Sequence, residues 1–396
     1  MTERSGSGDG TRGPGRTVRT LAAASFLNDM GSDMIYPIWP LFVTQFMGAN
    51  MAVLGLLDGL GDALVSISKA FSGYISDRVG RRKVFIWTGY LMGSLSRVGY
   101  ALSPAWGWLI PFRILDRSGK IRSSPRDALV AEASLDSNRG RNFGLLRSMD
   151  HLGAVVGILL AALLFSYLGY TRLFLIAALP SLAASALIII RIRERRALKG
   201  ESSPRISFGR LPRSLKLFFL VGGIFSLASF SYSFLLMFSL GSEIGEGGVP
   251  FLYLIFTATA SVVSIWFGKL SDSIGRIPVM AFSFLLWIAV CLLFLFHAGL
   301  WMIIGAFVVY GLHKGSLEPV RKTIVSELAP DDMRASTLGG YQMLIGLAAL
   351  PSSLAAGIIW EAVSPGAPFV ISIVLTLASL LLLMVMWGVR GRGASS

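Results

Sequence analysis

The sequence predicts an all-α integral membrane protein of twelve transmembrane helices, arranged as two six-helix bundles that repeat at an offset of 195 residues. The first observation behind this prediction is composition. The chain is 54% hydrophobic and only 15% charged, with a mean hydropathy of +0.66, whereas soluble domains carry about 25% charged residues. Because the apolar runs are continuous and long enough to span a bilayer, they indicate helices and not a β-barrel.

The second observation is an internal repeat. The polar segment Gly73–Lys83 (GYISDRVGRRK) recurs as Gly268–Arg276 (GKLSDSIGR). The same offset of 195 residues relates Glu132 to Glu327, Asp136 to Asp331, Arg139 to Arg334 and Gly144 to Gly339. One offset held over such a length indicates two copies of one unit, each about half of the chain. A duplicated unit of membrane helices is the parallel-repeat architecture of secondary transporters.

Each copy contains six apolar runs. In the first copy, spans are predicted at about 19–45, 53–76, 84–103, 106–128, 142–168 and 172–191. In the second copy, they are predicted at about 215–241, 249–271, 278–297, 299–325, 338–361 and 367–389. The predicted bundles therefore cover residues 19–191 and 215–390. Residues 1–18 are expected to form a disordered tail, 192–214 a basic linker, and 391–396 a short C-terminal tail.

The basic residues indicate the orientation in the membrane. The net charge is +14, and the positive residues concentrate in alternate loops, in the linker and in both tails, which is the pattern that membrane orientation produces. It predicts a multi-pass protein of the cell (inner or plasma) membrane with both termini cytoplasmic. The expected partners are the lipid bilayer and a small-molecule or ion substrate, without nucleic acid, and a monomer is expected. The single cysteine, Cys291, lies within an apolar run and excludes a disulfide framework.

The duplicated loop carries a family resemblance. Gly73–Lys83 resembles the signature between the second and third helices of the major facilitator superfamily, and Gly268–Arg276 is similar to its copy in the second half. Arg113 resembles the buried arginine of the superfamily's second motif, although Asp116 and Arg117 stand where that motif usually has glutamine and glycine. The resemblance covers essentially the whole chain after residue 18 and implies transport by alternating access.

Two further stretches, Phe26–Phe42 and Arg113–Glu132, are similar to a poorly characterised group of prokaryotic facilitators, which implies no settled substrate. Gly144, Gly153 and Gly157 resemble the fifth-helix glycine motif of drug/proton antiporters, with Ile158 in place of that motif's proline. This resemblance implies efflux by proton antiport. It is the ground on which export is preferred to import by proton symport, and a non-transporting membrane receptor is the remaining alternative. Gly153 and Gly157, four residues apart, also predict a small-residue face for close helix packing.

Ionisable residues deep in predicted spans are candidates for the transport site, because a charge inside a bilayer is costly. The N-terminal bundle is expected to supply Asn28, Asp29, Asp33, Asp62, Arg113, Asp116, Arg117, Asp150 and His151. The C-terminal bundle is expected to supply His313, Lys314, Glu318, Tyr341 and Gln342. In the superfamily fold the first and fourth helices of each half line the central cavity, and the second and fifth border it, so the resemblance implies that these residues converge on one chamber.

The most plausible proton carriers in this set are Asp29, Asp33 and Asp150, because a carboxylate beside an arginine can change its proton affinity when a substrate desolvates it. The alternative is that these charges are buried ion pairs that fix helix packing, such as Asp150 with Arg113 or Asp62 with Arg117. No signature of an enzyme or of an ATP site is present, and neither a cofactor nor a catalytic activity is expected. The sequence leaves open whether a metal ion binds.

The duplicated loop also suggests a gate at the cytoplasmic side. The residues assigned to it are Gly73, Asp77, Arg78, Gly80, Arg81, Asp127, Gly268, Asp272, Gly275 and Arg276. Asp77 is expected to face a helix N-terminus of the other half, and Arg81 to pair with Asp127. The alternative is that Gly80 and Gly275 only permit tight turns and that the basic residues only orient the loop. Both interpretations are compatible with the sequence.

Overall fold

The computed structural model describes residues 14–135, 138–193, 211–241, 244–296, 299–330 and 333–393, without the side chains of Pro14, Asp77, Ala335 and residues 388–393. Eight helices among these residues are long and apolar enough to cross a membrane by length and composition. These residues form twelve membrane-length segments in all. One of the eight helices, Arg139–Arg191, holds two segments, and the first, third and fourth segments are not among the eight because they are broken or less apolar. The predicted all-helical fold is confirmed.

The first bundle contains spans 1 to 6. Span 1 comprises Pro14–Asp33, Trp39–Leu41 and the π-helical Phe42–Phe46; span 2 is Met51–Val79; span 3 is Lys83–Leu102; span 4 comprises Leu109–Ser118, Gly119–Arg122 and Ser123–Glu132; spans 5 and 6 are the two parts of Arg139–Arg191. Gly169 separates these two parts with a φ of 66°. The first helix thus begins at Pro14, within the segment predicted as a disordered tail. The predicted linker falls mostly outside the described residues.

The second bundle repeats this order as spans 7 to 12. Span 7 comprises Arg213–Ala228 and Tyr232–Ser239; span 8 is Gly245–Ile274; span 9 is Arg276–Leu295; span 10 is Leu300–Leu328; span 11 is Arg334–Ala362; span 12 is Ala367–Gly393. Spans 1 and 7 are interrupted at equivalent places, after Asp33 and after Ala228, which differ by the repeat offset of 195. The interruption in span 1 contains Pro37, which cannot donate a helical hydrogen bond.

The duplicated loop has the glycine-dependent geometry that the sequence predicts. Span 2 ends at Gly80, whose φ of 67° is left-handed, and its amide donates a 2.9 Å hydrogen bond to the Ser76 carbonyl. Gly275 separates spans 8 and 9 with a φ of 96°. Both values lie where residues with a Cβ are strained. We call the end of the molecule that carries Gly80 and Gly275 the motif end, and the end that carries Asn50 and Gly299 the opposite end.

Small residues let backbones approach within and between the bundles. Within the first bundle, Gly153 and Gly157 of span 5 pack against the carbonyls of Phe26 and Met30 of span 1, so the small-residue face predicted for span 5 is confirmed. Between the bundles, span 2 packs along span 11: a Cβ at Gly59 would lie only 2.6 Å from the Leu350 Cα. Gly153 and Gly157, two of the three glycines that resemble an antiporter motif, therefore have a packing role in this fold.

Substituting Gly157 by alanine tests this packing. We expect Gly157→Ala to lower the Tm in detergent by about 3 °C or more, because its Cβ collides with the Met30 carbonyl and overpacking costs about 1–3 kcal/mol. Gly144→Ala is the matched control on the same helix, since no atom lies within 4 Å of its Cβ position. The measurement is thermal unfolding followed by tryptophan fluorescence. Equal Tm values for the two variants would contradict the close approach.

Candidate functional site

A central cavity of about 510 Å³ lies between the two bundles. Both halves contribute walls. Its charged and amide lining residues are Asp58, Asp62, Lys69, Arg113, Arg117, Lys314, Glu318, Arg321, Lys322 and Gln342. The volume is in the range of pockets that hold small organic molecules. Of the fourteen residues expected to form one chamber, the structure brings Asp62, Arg113, Arg117, Lys314, Glu318 and Gln342 together around this cavity.

The cavity extends towards the motif end. A second cavity, of about 580 Å³, shares Ser66, Lys69, Lys322 and Gln342 with the first. Its remaining lining residues include Ser124 and Glu327, which lie close to the motif ends of spans 4 and 10. The two cavities thus form one cleft between the bundles that continues towards the motif end.

At the opposite end, side-chain contacts join the bundles. The Glu361 Oε1 accepts a 2.8 Å hydrogen bond from the Met51 amide, and the Tyr170 hydroxyl donates to the Glu246 Oε2 at 3.2 Å. The Thr44 hydroxyl donates to the Met237 sulfur at 3.4 Å. These contacts close the cleft on the side away from the motif end.

The innermost of these contacts is centred on Asp58, whose side chain is only 4% exposed. Its Oδ1 accepts hydrogen bonds from the Trp39 indole at 2.9 Å and from the Arg113 Nη2 at 2.7 Å. Its Oδ2 accepts from the hydroxyls of Ser231, at 2.7 Å, and Ser233. Trp39, Asp58 and Arg113 belong to the first bundle and the two serines to the second. One carboxylate therefore holds four donors from both halves.

The interruption in span 7 positions the two serine donors. Ser231 is the N-cap of the helix Tyr232–Ser239, and its Oγ accepts a hydrogen bond from the Ser233 amide. The positive end of this half-helix thus faces the Asp58 carboxylate, which is a favourable placement for an anion. The Tyr232 hydroxyl reaches across the interface and donates to the Tyr36 carbonyl at 3.2 Å.

Two arginines one turn apart on span 4 border the cavity. Arg113 is 3% exposed, lies 4.2 Å from the Trp39 ring centroid and donates from Nε to the Leu57 carbonyl at 3.2 Å. Arg117 stacks on Tyr36 at 4.8 Å and donates from Nη1 to the Tyr36 hydroxyl at 3.1 Å. Gly61 makes room for both, because a Cβ there would lie 3.2 Å from each Nε. Such stacked cations are attracted to the aromatic ring faces.

Other residues of the predicted chamber have different surroundings. His313 is fully buried: its Nδ1 lies 2.8 Å from the Ser283 carbonyl, and its Nε2 has no hydrogen-bond partner. Tyr341 is buried against Phe218 and Phe219 and does not line the central cavity. These two side chains pack the core of the second bundle. Glu318 lines the cavity and pairs with Arg321 at 2.9 Å and with Lys322 at 3.6 Å.

The structure does not place the three expected proton carriers together with Arg113. Asp150 pairs with Arg126 and Arg147, both at 3.2 Å, so the suggested Asp150–Arg113 pair is wrong. Neither Asp29, Asp33 nor Asp150 is among the described residues that line the central cavity. Asp150 of span 5 instead faces Arg126 of span 4.

Four more residues of the predicted chamber lie in the first bundle and have the following surroundings. Asn28 is buried, donates to the Asp29 Oδ1 at 2.8 Å and accepts from the Ser181 hydroxyl of span 6 at 3.0 Å. The Asp116 Oδ1 accepts a long hydrogen bond, of 3.4 Å, from Ser96. His151 is exposed and does not line the cavity. Asp62 also lacks the suggested pairing with Arg117, and its side chain is exposed to the cavity.

The residues of the duplicated loop make local contacts in this structure. Asp127 pairs with Arg126 at 3.1 Å and with Arg147 at 3.2 Å, and not with Arg81, so that predicted contact is wrong. Both partners are nearer to Asp127, one beside it in sequence and one on the adjoining span 5. Arg81 and Arg78 are exposed, and the Arg78 Nη1 lies 3.5 Å from the Tyr74 hydroxyl.

The second copy of the loop is also held locally. Arg276 pairs with Asp272 and, at 3.1 Å, with Glu327. Gly73 approaches Ser124 of span 4 at 3.4 Å from its Cβ position, whereas Gly268 has open space. The side chain of Asp77 lies outside the described residues, so its expected contact with a helix N-terminus stays a prediction.

Two buried charges were not assigned to the site from the sequence. Asp58, one turn from Asp62, is the centre of the contact between the halves. Arg97 of span 3 is 2% exposed, donates to Ser32 at 2.8 Å and to the Ala177 carbonyl at 2.9 Å, and also contacts Ser181. The signal in both cases was a charge in the middle of an apolar run. For Asp58 a second signal existed, since Asp58 and Asp62 have the same spacing as Arg113 and Arg117.

The described residues contain no group of three or more His, Cys, Asp or Glu side chains that could hold a metal ion. The fold of two repeated six-helix bundles around a central polar cleft defines a secondary transporter. Comparison with known families agrees: the sequence matches the Major Facilitator Superfamily over residues 21–244 and again over residues 218–395. The chain belongs to this superfamily, and it is a multi-pass membrane protein.

Relatives and solved structures support this assignment. An uncharacterised MFS-type transporter of Methanocaldococcus jannaschii is 34% identical over 93% of this chain and 94% of its own. The multidrug resistance protein MdtH of Escherichia coli is 32% identical over 142 residues, which are 35% of this chain and 34% of that one. The nucleoside transporter NupG has the same fold, with a TM-score of 0.77 at 15% identity over 94% of this chain and 99% of that one.

The buried pair of Asp58 and Arg113 should behave as one energetic unit. We expect Asp58→Ala and Arg113→Ala each to destabilise the protein by about 3 kcal/mol or more, because each leaves a buried charge without its partner. The double variant should lose at least about 1 kcal/mol less than the sum. Thermal unfolding in detergent provides the measurement. The partly exposed pair Glu318–Arg321 is the control, with a coupling of about 1 kcal/mol or less. Additive losses at Asp58 and Arg113 would contradict the assignment.

Proposed function

We propose that the protein is a proton-coupled secondary transporter that moves a small organic solute by alternating access, with export as the first candidate direction. The observation that carries this proposal is the cleft between the two bundles, which is closed at the opposite end around Asp58 and continues towards the motif end. A cleft of this kind gives a solute access from one side of the membrane only, as alternating access requires.

The orientation follows from charge. The motif end carries Arg78, Arg81, Arg82 and Lys83, and the positive-inside rule assigns such a loop to the cytoplasm. The cleft would then open to the cytoplasm, and the structure would correspond to an inward-facing state. Binding of solute from the cytoplasm and release on the other side require the contacts around Asp58 to break and the two bundles to close at the motif end.

Asp58 and Asp62 are the carboxylates best placed to couple this change to protons. Ionised Asp58 accepts four hydrogen bonds from the two halves, and a protonated carboxyl group cannot accept all of them. Its protonation would therefore weaken the closure at the opposite end. Asp62, one turn away on the same face of span 2, is exposed to the cavity and can exchange protons with water there. The geometry thus favours these two residues over Asp29, Asp33 and Asp150.

The direction of transport rests on different grounds. The similarity of 142 residues to MdtH, a multidrug resistance protein, supports export. Import by proton symport is the second candidate, and the excess of positive charge in the cavity favours it. A positively charged cavity attracts an anion, and an anion beside Asp62 stabilises the protonated form of that carboxyl group. Proton and solute would then bind together, which is the requirement for symport.

Everted membrane vesicles distinguish the two directions. With the lumen acidified by respiration and followed by a pH-sensitive dye, addition of the solute of an antiporter should release luminal protons at once. A symporter should not release them. We expect one member of a panel of organic anions, cations and neutral compounds to change the signal in wild-type vesicles, and Asp58→Asn and Asp62→Asn to abolish the change. The same substitution at the ion-paired Asp150, outside the cavity, is the control and should retain it.

Vesicles that respond to no compound of the panel would contradict proton-coupled export. A response that survives in both Asp58→Asn and Asp62→Asn but disappears in Asp150→Asn would return the proton site to the residue predicted from the sequence.

A further inference from the structure

The charges that line the central cavity do not balance. Six basic side chains line it, against the three carboxylates of Asp58, Asp62 and Glu318. Asp58 compensates Arg113, and Glu318 is shared between Arg321 and Lys322. Arg117 is paired with the neighbouring Asp116 at 3.5 Å, whereas Lys69 and Lys314 face only Asp62 within the cavity. Uncompensated charge at the depth of a membrane is costly and marks a site for a ligand of opposite sign.

Arg117 has donors to spare for such a ligand. Its Nη1 bonds to the Tyr36 hydroxyl and its Nε is buried 3.5 Å from the Asp116 Oδ2, whereas its Nη2 makes no hydrogen bond to the described residues. The guanidinium plane is fixed by the Tyr36 ring beneath it, 4.8 Å away. A planar cation held in this way is prepared to bind a carboxylate or phosphate group.

Lys314 lies on the other side of the cavity, on span 10. Its Nζ is 5.5 Å from the Tyr310 ring centroid, and no carboxylate of the described residues lies within ion-pair distance of it. Because Arg117 belongs to the first bundle and Lys314 to the second, an anion between them would contact both halves. The two positive charges repel each other when the cavity is empty. An anion between them attracts both and would therefore favour closure of the cleft around it.

The wall formed by the second bundle is aromatic. Successive rings are in contact across spans 7, 8 and 10: Tyr232 with Tyr253 at 5.1 Å, Tyr253 with Phe256 at 4.7 Å, and Phe256 with Tyr310 at 5.0 Å between centroids. All four line the cavity. This surface ends at Tyr310, beside Lys314. A flat apolar group can pack on such rings.

We propose that the solute is an amphipathic organic anion whose carboxylate or phosphate group binds Arg117 and Lys314 and whose aromatic body packs against Tyr232, Tyr253, Phe256 and Tyr310. This inference rests on the proposed function, since it names the substrate class of the same cavity. It also bears on direction. A bound anion favours a proton on Asp62, so an anionic solute supports symport over antiport.

The test uses three probes that share one aromatic body: 2-naphthoate, 2-naphthylmethanol and 2-naphthylmethylamine. Binding to the purified full-length protein is measured by isothermal titration calorimetry in detergent. We expect naphthoate to bind at least about tenfold more tightly than the neutral alcohol, and the amine to bind more weakly than either. Lys314→Gln should weaken naphthoate binding at least about tenfold and leave binding of the alcohol unchanged.

Lys269→Gln is the matched control, because Lys269 is exposed near the motif end and lines neither cavity. Tyr253→Leu tests the aromatic wall and should weaken naphthoate and the alcohol equally. Tighter binding of the amine, or equal effects of Lys314→Gln and Lys269→Gln, would overturn the inference, and so would the absence of naphthoate binding. None of these results would by itself contradict proton-coupled transport, because the vesicle assay tests coupling separately: release of luminal protons supports export, and its absence contradicts export.

Discussion

The carboxylate of Asp58 lies in the middle of a membrane-spanning helix, and its charge has to be compensated there. Water cannot do this at 4% exposure, so the protein supplies Trp39, Arg113, Ser231 and Ser233 as donors. Since these donors come from three different spans of both bundles, compensation of one charge fixes the relative position of the two halves. The cost of a buried, unpaired charge makes this contact specific, and loss of the charge would remove the reason for it.

The interruptions in spans 1 and 7 follow from the same requirement. A continuous helix would satisfy its own backbone groups and would leave none of its ends near the cavity. The interruption after Ala228 creates a helix that begins beside Asp58 and places two serine hydroxyls on the carboxylate. The equivalent interruption after Asp33 exposes the Tyr36 carbonyl to the Tyr232 hydroxyl. The duplicated fold thus brings two irregular segments together at the place where the halves meet.

The other charged residues of the cavity lie beside the Asp58 contact and do not take part in it. Arg117, one turn beyond Arg113, stacks on Tyr36 and pairs with Asp116 at 3.5 Å, and Asp62, one turn beyond Asp58, faces the cavity. Lys314 approaches from the second bundle beside an aromatic surface. In each pair of like charges, Asp58 with Asp62 and Arg113 with Arg117, the first residue therefore holds the two bundles together. The second residue remains available to a solute or to protons.

The sequence predicted the fold well because its main features are local or periodic. The repeat offset follows from comparing the two halves of the sequence. Spacing within one element predicts the turn glycines Gly80 and Gly275 and the small-residue face at Gly153 and Gly157. The partners of the buried charges did not follow, since spacing shows which residues share a face of a helix but not how two helices are rotated against each other. Asp150 was accordingly expected beside Arg113 and instead pairs with Arg126 and Arg147. The four donors to Asp58 come from spans 1, 4 and 7, which spacing along span 2 cannot reveal.

The central claim is that the charge of Asp58 keeps the opposite end of the protein closed. The most direct test is to measure spin-label distances across both ends, between Ala105→Cys and Ser364→Cys at the opposite end and between Gly140→Cys and Ser273→Cys at the motif end, all exposed positions, in a Cys291→Ala background. We predict that Asp58→Asn lengthens the first distance and shortens the second, whereas Asp150→Asn changes neither. Unchanged distances at both ends in Asp58→Asn, in a protein that remains folded, would contradict the account.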